Sequence, residues 1–244
     1  MKENERISII IATYNAENKI INCIESILSQ KYNNIELIII DGGSSDKTIE
    51  ILDEYSNNIS YLISEKDSGI YDALNKGLAV ATGEFIYVMG ADDRLCDENV
   101  FQAFIDISRI HIADIYYGNF IQIFNHNYKV RIVPRKIISR TYLFRNFGIN
   151  HQSIFARKKT LISGFDTRYK ISSDLDWLMK SFNSGFKFQY MDIDVTNYSM
   201  TGTSALYVEN LIDDICDIYS RYIGKFLSGI LRIFLMSKWT RKQK

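Results

Sequence analysis

Proline is nearly missing: Pro134 is the only one in 244 residues, and no repeat, low-complexity segment or linker divides the chain. Cysteine is scarce as well. Cys23, Cys96 and Cys216 are odd in number and not closely spaced. That argues against a disulfide framework and a Cys-rich zinc site, and it fits a reducing cytoplasm. No stretch of about 18 uncharged apolar residues occurs, so a membrane-spanning helix is not expected. Nor does any N-terminal apolar run resemble a signal peptide. What the chain does have is apolar mass. Hydrophobic residues make up 46% and aromatics 13% of the sequence, which marks a globular protein able to build a sizeable core in one domain.

Net charge is zero, with 29 basic and 29 acidic residues, but the charge is unevenly spread. No acid follows Asp217. Arg221, Lys225, Arg232, Lys238, Arg241, Lys242 and Lys244 give the tail +7, so the remainder carries −7. Such asymmetry points to an anionic partner, a membrane or a nucleic acid. Nucleic-acid-binding motifs are lacking, which favours the membrane surface.

The N-terminal half alternates strand and helix signals. "ISIIIA" (Ile7 to Ala12) and "IELIIID" (Ile35 to Asp41) are β-branched runs fit for buried strands, Tyr61 to Ser64 is a shorter one, and Phe85 to Met89 is a fourth. Between them, Ile20, Ile24, Ile27 and Leu28 recur at helical spacing after a possible cap at Asn15. Ser45 or Asp46 can cap a second helix carrying Ile49 and Leu52, and "GIYDALNKGLAVATG" predicts a third, closed by Gly83. This order implies right-handed crossovers and a mostly parallel sheet covered by helices. Further on, Ile115 to Phe124 and Tyr128 to Val133 predict a hairpin across "NHN". Gln152 to Ala156 predicts a strand, and Ser173 to Gly185 a capped helix with a glycine stop.

In open α/β sheets, ligands sit beyond the carboxyl ends of strands. Asp41 ends one strand, and "GADD" puts Asp92 and Asp93 just after another. Adjacent carboxylates repel unless a cation is near, and a hard divalent cation takes carboxylate and diphosphate oxygens together. A polar turn explains the same residues. "DGGSSD" (Asp41 to Asp46) is a glycine-containing turn that lets backbone approach a nucleotide, although helix capping explains its serines. Asp72 and Lys76 stand at i,i+4, either facing ribose and phosphate or pairing on a solvated helix face. "NHQS" holds His151, and "SSDLDW" sets Asp174 near a helix start with Trp177 as core or as a stacking surface.

Together and in this order, "IIATYNAE", "SILSQKYNNIELIIIDGGSSDKT", "DSGIYDALNKGLAVATGEFIYVMGADD", "NHQS" and "SSDLDW" resemble the inverting GT-A glycosyltransferases of the family-two type, over Ile7 to Ser204. The wording "GIYDALNKG" is most similar to bacterial enzymes of capsule, O-antigen and exopolysaccharide assembly. The resemblance implies an α/β GT-A domain over residues 1–204, a nucleotide-diphosphate sugar donor, a glycan or lipid-linked acceptor, and a divalent Mn or Mg ion. It implies that Thr13, Tyr14 and Glu17 line the donor nucleotide, that Asp41 reads the base, and that Asp72, Asn75 and Lys76 flank ribose and diphosphate. Asp92 matches the metal-holding carboxylate, with Asp93 beside it on the donor side. Asp174 matches the catalytic base, and His151 and Gln152 an acceptor-side motif, to which Trp177 is added.

Two positions depart from the family pattern. Gly90 stands where the first Asp of the usual D-x-D motif belongs, so its contact is missing or supplied by Asp93. Ser173 replaces the frequent Glu before the base, which leaves Asp174 and Asp176 both open as the base. The Q-x-x-R-W motif of processive members is absent, which favours transfer of a single sugar. A catalytically inert homologue acting as a binding or scaffold subunit is the alternative that Gly90 keeps open. A sugar nucleotidyltransferase would need a glycine-rich basic N-terminal loop, which "IIATYNAE" is not.

Residues 205–244 read as a helical, basic extension. From Tyr222 on, Phe226, Leu227, Ile230, Leu231, Phe234 and Leu235 recur at helical spacing among cations. This predicts an amphipathic helix lying in a membrane interface, hence a cytoplasmic enzyme held peripherally at the inner face of the cell membrane. A helix packed on the catalytic domain accounts for the same pattern.

Overall fold

The computed structural model describes residues 5–124, 128–139, 149–199 and 208–242. Its centre is a mixed sheet. Strands β1 (Ile7–Thr13), β2 (Ile35–Asp41), β3 (Tyr61–Ser64) and β4 (Phe85–Gly90) form a parallel block in the order β3-β2-β1-β4. Helices α1 (Ile20–Leu28), α2 (Thr48–Glu54) and α3 (Ile70–Val80) make the crossovers. The sheet then continues through β8 (Ile154–Arg157), β6 (Ile115–Ile123), β9 (Phe188–Ser199) and the short β5 (Arg94–Leu95), with β7 (Lys129–Ile132) on β6. Here the pairs β4–β8, β6–β8, β6–β7 and β5–β9 are antiparallel, and only β6–β9 is parallel. The parallel block of the N-terminal half thus continues into a second half in which β6 and β9 keep its direction and β8 runs against it. The β6–β7 pair is the expected hairpin, but its "NHN" turn lies outside the described residues.

The isoleucine runs are explained by two cores, one on each face. Successive side chains of a strand point to opposite faces. Ile7, Ile9 and Ile11 enter one cluster with Phe85, Tyr87 and Met89, whereas Ile10 enters another with Ile38, Ile40 and Val88. The first is covered by α1, α2 and α4 (Val100–Ile110), through Ile24, Leu52, Phe101 and Phe104. The second is covered by α3 and α5 (Ser173–Asn183), through Leu74, Leu78, Trp177 and Leu178. Apolar residues at every position follow from burial on both faces.

Local details correct several expectations. Asn15 does not cap α1. It sits at φ 48° in the preceding turn, where Asn tolerates the left-handed region, and its Oδ1 accepts from Ser45 N at 2.9 Å. Gln152 and Ser153 belong to a 3-10 turn (His151–Ser153), not to the strand, which begins at Ile154. Gly83 lies beyond α3 and donates its N–H to Glu36 and Ser8.

The last helix, α6 (Val208–Lys242), is broken at Gly224, whose φ of 80° and ψ of 155° suit glycine. Its two halves fold back on each other. Ser228 donates to Cys216 O, and Arg232 Nε meets Asp213 Oδ1 at 2.7 Å. The first half packs Ile215, Ile218 and Tyr219 against Tyr169 and Met179. The expected boundary at 204/205 lies outside the described residues, and the helix that follows shares a core with the domain. No helix among the described residues is long and apolar enough to cross a membrane.

Candidate active site

Strand register brings the site's edge level. Thr13 pairs with Asp41, Asp41 with Ser64, and Ala12 with Gly90, so β1 to β4 end side by side. The loops that leave β1 and β2 are stitched together. Gly42 N donates to Thr13 O at 2.9 Å, Asn15 N to Ser44 Oγ at 2.8 Å, and Ala16 N to Thr48 Oγ1 at 2.8 Å. Glu17 accepts Lys47 N at 3.0 Å. Asp41 is fully buried and organises the turn. Its Oδ2 accepts from Gly43 N, Ser44 N and Ser64 Oγ at 3.0, 2.8 and 2.6 Å, and Oδ1 accepts from Ser44 Oγ. Beside it, Tyr14 is 63% exposed, and the buried Thr13 Oγ1 has no partner.

On α3, Asp72 accepts Ser68 N at 3.0 Å, and Lys76 Nζ lies 2.7 Å from Glu65 and 3.9 Å from Asp72. Asn75 is used differently. Its amide donates to Phe165 O at 2.8 Å and accepts Phe165 N at 2.7 Å, pinning the segment that leads to α5.

The "GADD" turn has two unlike carboxylates. Asp92 is partly exposed, with Lys19 Nζ 3.4 Å from its Oδ2. Asp93 is 2% exposed. Its Oδ1 accepts Ser199 N at 2.8 Å, and its Oδ2 is buried without a partner. Burial, reinforced by Asp92, raises the Asp93 carboxyl well above its ordinary range. At Gly90 a side chain could enter only if its neighbours shifted. A Cβ there would stand 2.7 Å from Asp93 Oδ2, 3.2 Å from Asp92 Oδ1 and 3.4 Å from Gln152 Nε2. The carboxylate of Asp93 thus fills the space beside position 90.

This donor set fits a hard cation of one kind only. Among the described residues, no three His, Cys, Asp or Glu side chains gather as a metal cage. An accessible carboxylate beside an orphaned buried one suits an ion bound mainly through substrate oxygens and water. Asp92 would hold it, with Asp93 behind.

The His151–Ser153 turn and the first turn of α5 come together. Tyr87 donates its hydroxyl to Gln152 O at 2.8 Å, which ties that turn to β4. His151 Nδ1 lies 2.9 Å from Asp174 Oδ2. The hydroxyl of Tyr71 lies 2.7 Å from Ile171 O and 3.0 Å from Asp174 Oδ1. Burial pushes the Asp174 carboxyl up, but the bonds from His151, Tyr71 and Leu175 N outweigh it and hold the group below its ordinary range. Asp174 stands in the first turn of the helix, after the N-cap Ser172.

Asp176 is spoken for elsewhere. It is buried between Arg221 Nη1 at 2.9 Å and Lys180 Nζ at 2.6 Å. Trp177 is 6% exposed, donates its indole N–H to Thr160 O at 2.9 Å and packs in the core. It supports α5 from within and has no open face for a sugar, which corrects its expected acceptor role. Sequence reasoning missed Tyr71 and Lys19, because each sits in a stretch that reads as ordinary helix.

A parallel α/β half-sheet whose carboxyl edge carries the Asp41 turn and the Asp92–Asp93 pair has the framework of a GT-A glycosyltransferase. The chain belongs to glycosyl transferase family 2, whose model matches residues 8–171. It is 31% identical over 202 residues to a PGL/p-HBAD biosynthesis glycosyltransferase of Mycobacterium bovis, covering 80% of this chain and 77% of that one. It is 35% identical over 120 residues to glycosyltransferase GlyG of Streptococcus pneumoniae, 48% of this chain and 40% of that one. Among solved structures, S. aureus TarS 1-349 in complex with UDP-GlcNAc superposes with a TM-score of 0.68 at 15% identity, over 95% of this chain and 71% of that one. The mannosyltransferase PcManGT of Pyrobaculum calidifontis, in complex with GDP-Man and Mn2+, gives 0.67 at 19% identity, over 91% and 65%. At such identities the structures speak for the fold.

Proposed function

We propose that this glycosyltransferase moves a single sugar, with inversion, from a nucleoside-diphosphate sugar to a glycan or lipid-linked acceptor in bacterial surface polysaccharide synthesis. What supports the reading is the set of polar residues at and beyond the carboxyl ends of the strands. Asp92 and Asp93 follow β4, His151 meets Asp174 at the start of α5, and Gln152, next to His151, lies beside Gly90. Donors with uracil or guanine bases are bound by the TarS and PcManGT neighbours, which supports a nucleotide donor here.

In this reading Tyr14 stacks against the donor's base or ribose, Thr13 Oγ1 gains a polar partner, and Asp41 keeps the turn in shape while reading the base edge. Asp72 and Lys76 flank ribose and diphosphate, and Asn75 fixes the loop behind them. A divalent cation at Asp92, Mn or Mg, would neutralise charge on the departing diphosphate. The acceptor hydroxyl is a poor nucleophile until a base takes its proton. In this reading the Asp174–His151 pair supplies that function.

The tail extends the proposal to an anionic membrane surface. Phe226, Leu227, Ile230 and Ile233 are exposed on the second half of α6, Phe226 at 82% and Ile233 at 73%. Arg221 and Arg232 are used inside the protein, and the remaining tail cations are Lys225, Lys238, Arg241, Lys242 and Lys244. A lipid-linked acceptor would be met at that surface.

The test is a hydrolysis screen over UDP-, dTDP- and GDP-sugars with manganese, magnesium or chelator. One donor class turned over only with metal is expected. No turnover of any donor would favour the inert scaffold reading.

A further inference from the structure

We propose that Asp214, on the final helix α6, is a positioning residue for the transfer reaction: it holds the segment that sets Tyr71 and Asp174 in place. The inference deepens the function proposed above and rests on it.

Three observations carry it. First, helix α5 does not cap itself. Its N-cap Ser172 makes no side-chain cap bond, and the Ser172 hydroxyl is buried without a partner. N–H groups at a helix entrance need acceptors from outside the helix. Asp214 supplies one from α6: its Oδ2 accepts from Ile171 N at 2.8 Å and from Ser172 N at 3.2 Å.

Second, the bonded stretch leads directly to the proposed base. Ile171 gives its N–H to Asp214, and its carbonyl accepts the Tyr71 hydroxyl at 2.7 Å. That same hydroxyl lies 3.0 Å from Asp174 Oδ1. Asp214 thus reaches Asp174 by two routes, along the chain through Ser172 and across space through Ile171 and Tyr71.

Third, the contact belongs to a row. Asp214, Asp217 and Arg221 recur at i, i+3 and i+7, which is one face of a helix. Tyr169 donates its hydroxyl to Asp217 Oδ2 at 2.6 Å, and Arg221 Nη1 meets Asp176 Oδ1 at 2.9 Å. The row closes on residues 169–176, with the Asp214 bonds in the middle. Burial raises the Asp214 carboxyl above its ordinary range, so an anion is costly there. Docking the helix through Ile215 and Ile218 needs no such group. Fixing two successive backbone amides does. Asp214 acts through backbone and Tyr71, so its effect on rate is one of placement, and a shift of about 1 Å at a reacting group lowers turnover on the order of 100-fold.

The test uses the full chain and donor hydrolysis, in which water is the acceptor, below the melting temperature of every variant. Asp214→Ala should lower kcat by about 10- to 100-fold with donor KM nearly unchanged. If that variant does not fold, Asp214→Glu, which shifts the carboxylate by one methylene, takes its place with the same expected loss. Asp214→Asn should keep most of the turnover, since both bonds go to one oxygen and a carboxamide oxygen accepts as well. Ile218→Val loosens the same helix without removing a bond to Ile171 or Ser172. It should lower the melting temperature and leave kcat as it is. A near-normal Asp214→Ala, an Asp214→Asn as slow as Asp214→Ala, a raised donor KM in place of a lowered kcat, or an equal loss of kcat in Ile218→Val would each overturn the proposal. If the wild type hydrolyses no donor, the functional reading itself fails, and the hold on the segment is then read by amide hydrogen exchange. The amides of Ile171 and Ser172 should exchange at least about tenfold faster in Asp214→Ala and near the wild-type rate in Asp214→Asn. Exchange unchanged in Asp214→Ala overturns the hold as well.

Discussion

Arg221 of the final helix places its guanidinium 2.9 Å from the buried carboxylate of Asp176 on α5. Only one residue separates Asp176 from Asp174, so the tail helix braces the helix that carries the proposed base. Lys180 shares the charge at 2.6 Å. Removing Arg221 leaves a buried anion half-compensated, a change that costs about 3 kcal/mol in comparable sites. Arg221→Ala should therefore lower the melting temperature clearly. An apolar pair, Asp176→Leu with Arg221→Met, should recover most of it, because well-packed apolar groups replace such pairs at little cost. A melt unchanged in the single variant would show that the helix is held by its apolar face alone.

Gly90 yields a prediction opposite to simple restoration of the family motif. An Asp introduced there would meet the Asp93 carboxylate at Cβ distance, 2.7 Å from its Oδ2. Gly90→Asp should destabilise the protein and lower activity. Combined with Asp93→Gly, it should recover stability and bind manganese at least as well as the wild type. Thermal melts with and without manganese read both effects. A Gly90→Asp single variant as stable and active as the wild type would contradict the packing argument.

Glu36 makes a structural prediction with a defined pH sign. Burial pushes its carboxyl up, yet bonds from Ser8, Thr82 and Gly83 N–H outweigh this and leave it below its ordinary range. The stability it provides is present above the unfolded carboxyl's pKa and is lost as pH falls through the lower folded value. Glu36→Gln should cost about 1–3 kcal/mol at neutral pH. The difference from wild type should shrink as the pH is lowered into the acid range, read by denaturant melts from neutral to acid pH. A difference constant across that range would show that ionisation of Glu36 does not matter.

Much of this could be read from the chain. The isoleucine runs announce buried strands because each strand serves two cores, and "GADD" announces its place because strand ends collect polar chemistry. What could not be read depends on residues distant in sequence. Tyr71 looks like a core aromatic of α3 until Asp174, far along the chain, comes within 3.0 Å of it. Asn75 looks like a ligand contact until its amide is seen closing on Phe165. The β9 strand escaped notice because "FQYMDIDVTNYS" mixes acids and amides into its alternation, and its neighbours β5 and β6 are what bury it. The ion pair that occupies Asp176 comes from Arg221, which no local pattern connects to it.

Asp92 carries the metal prediction. Asp92→Asn should abolish metal-dependent turnover while leaving the melting temperature near that of the wild type, because its one ion pair among the described residues is the partly exposed one with Lys19. Calorimetric titration of manganese in the presence of nucleoside diphosphate should lose its binding isotherm in the variant. Full activity in chelator, or in the variant, would move the charge-neutralising role to the protein itself, with Lys19 the nearest cation.

The exposed apolar residues of the second half of α6 make the membrane proposal testable without truncation. Deleting from Lys225 onward would strip Ser228 from Cys216 and Arg232 from Asp213, and would uncover Leu231 and Leu235, which pack against the core cluster. Point changes on the open face avoid this. Phe226, Ile230 and Ile233 are exposed and are not assigned to any of the buried clusters. Changing all three to Ser should leave the melting temperature and donor hydrolysis unchanged, and should reduce co-sedimentation with vesicles of phosphatidylglycerol mixed into phosphatidylcholine. Each apolar side chain of this size contributes on the order of 1.5–3 kcal/mol when fully buried, so partial insertion of three predicts at least a tenfold weaker partition. Because cations supply the second component, raising salt should release the wild type as well. If the wild type fails to sediment with anionic vesicles at low salt, the face belongs to some other contact. If the triple variant sediments as strongly, the cations alone hold the protein to the lipid.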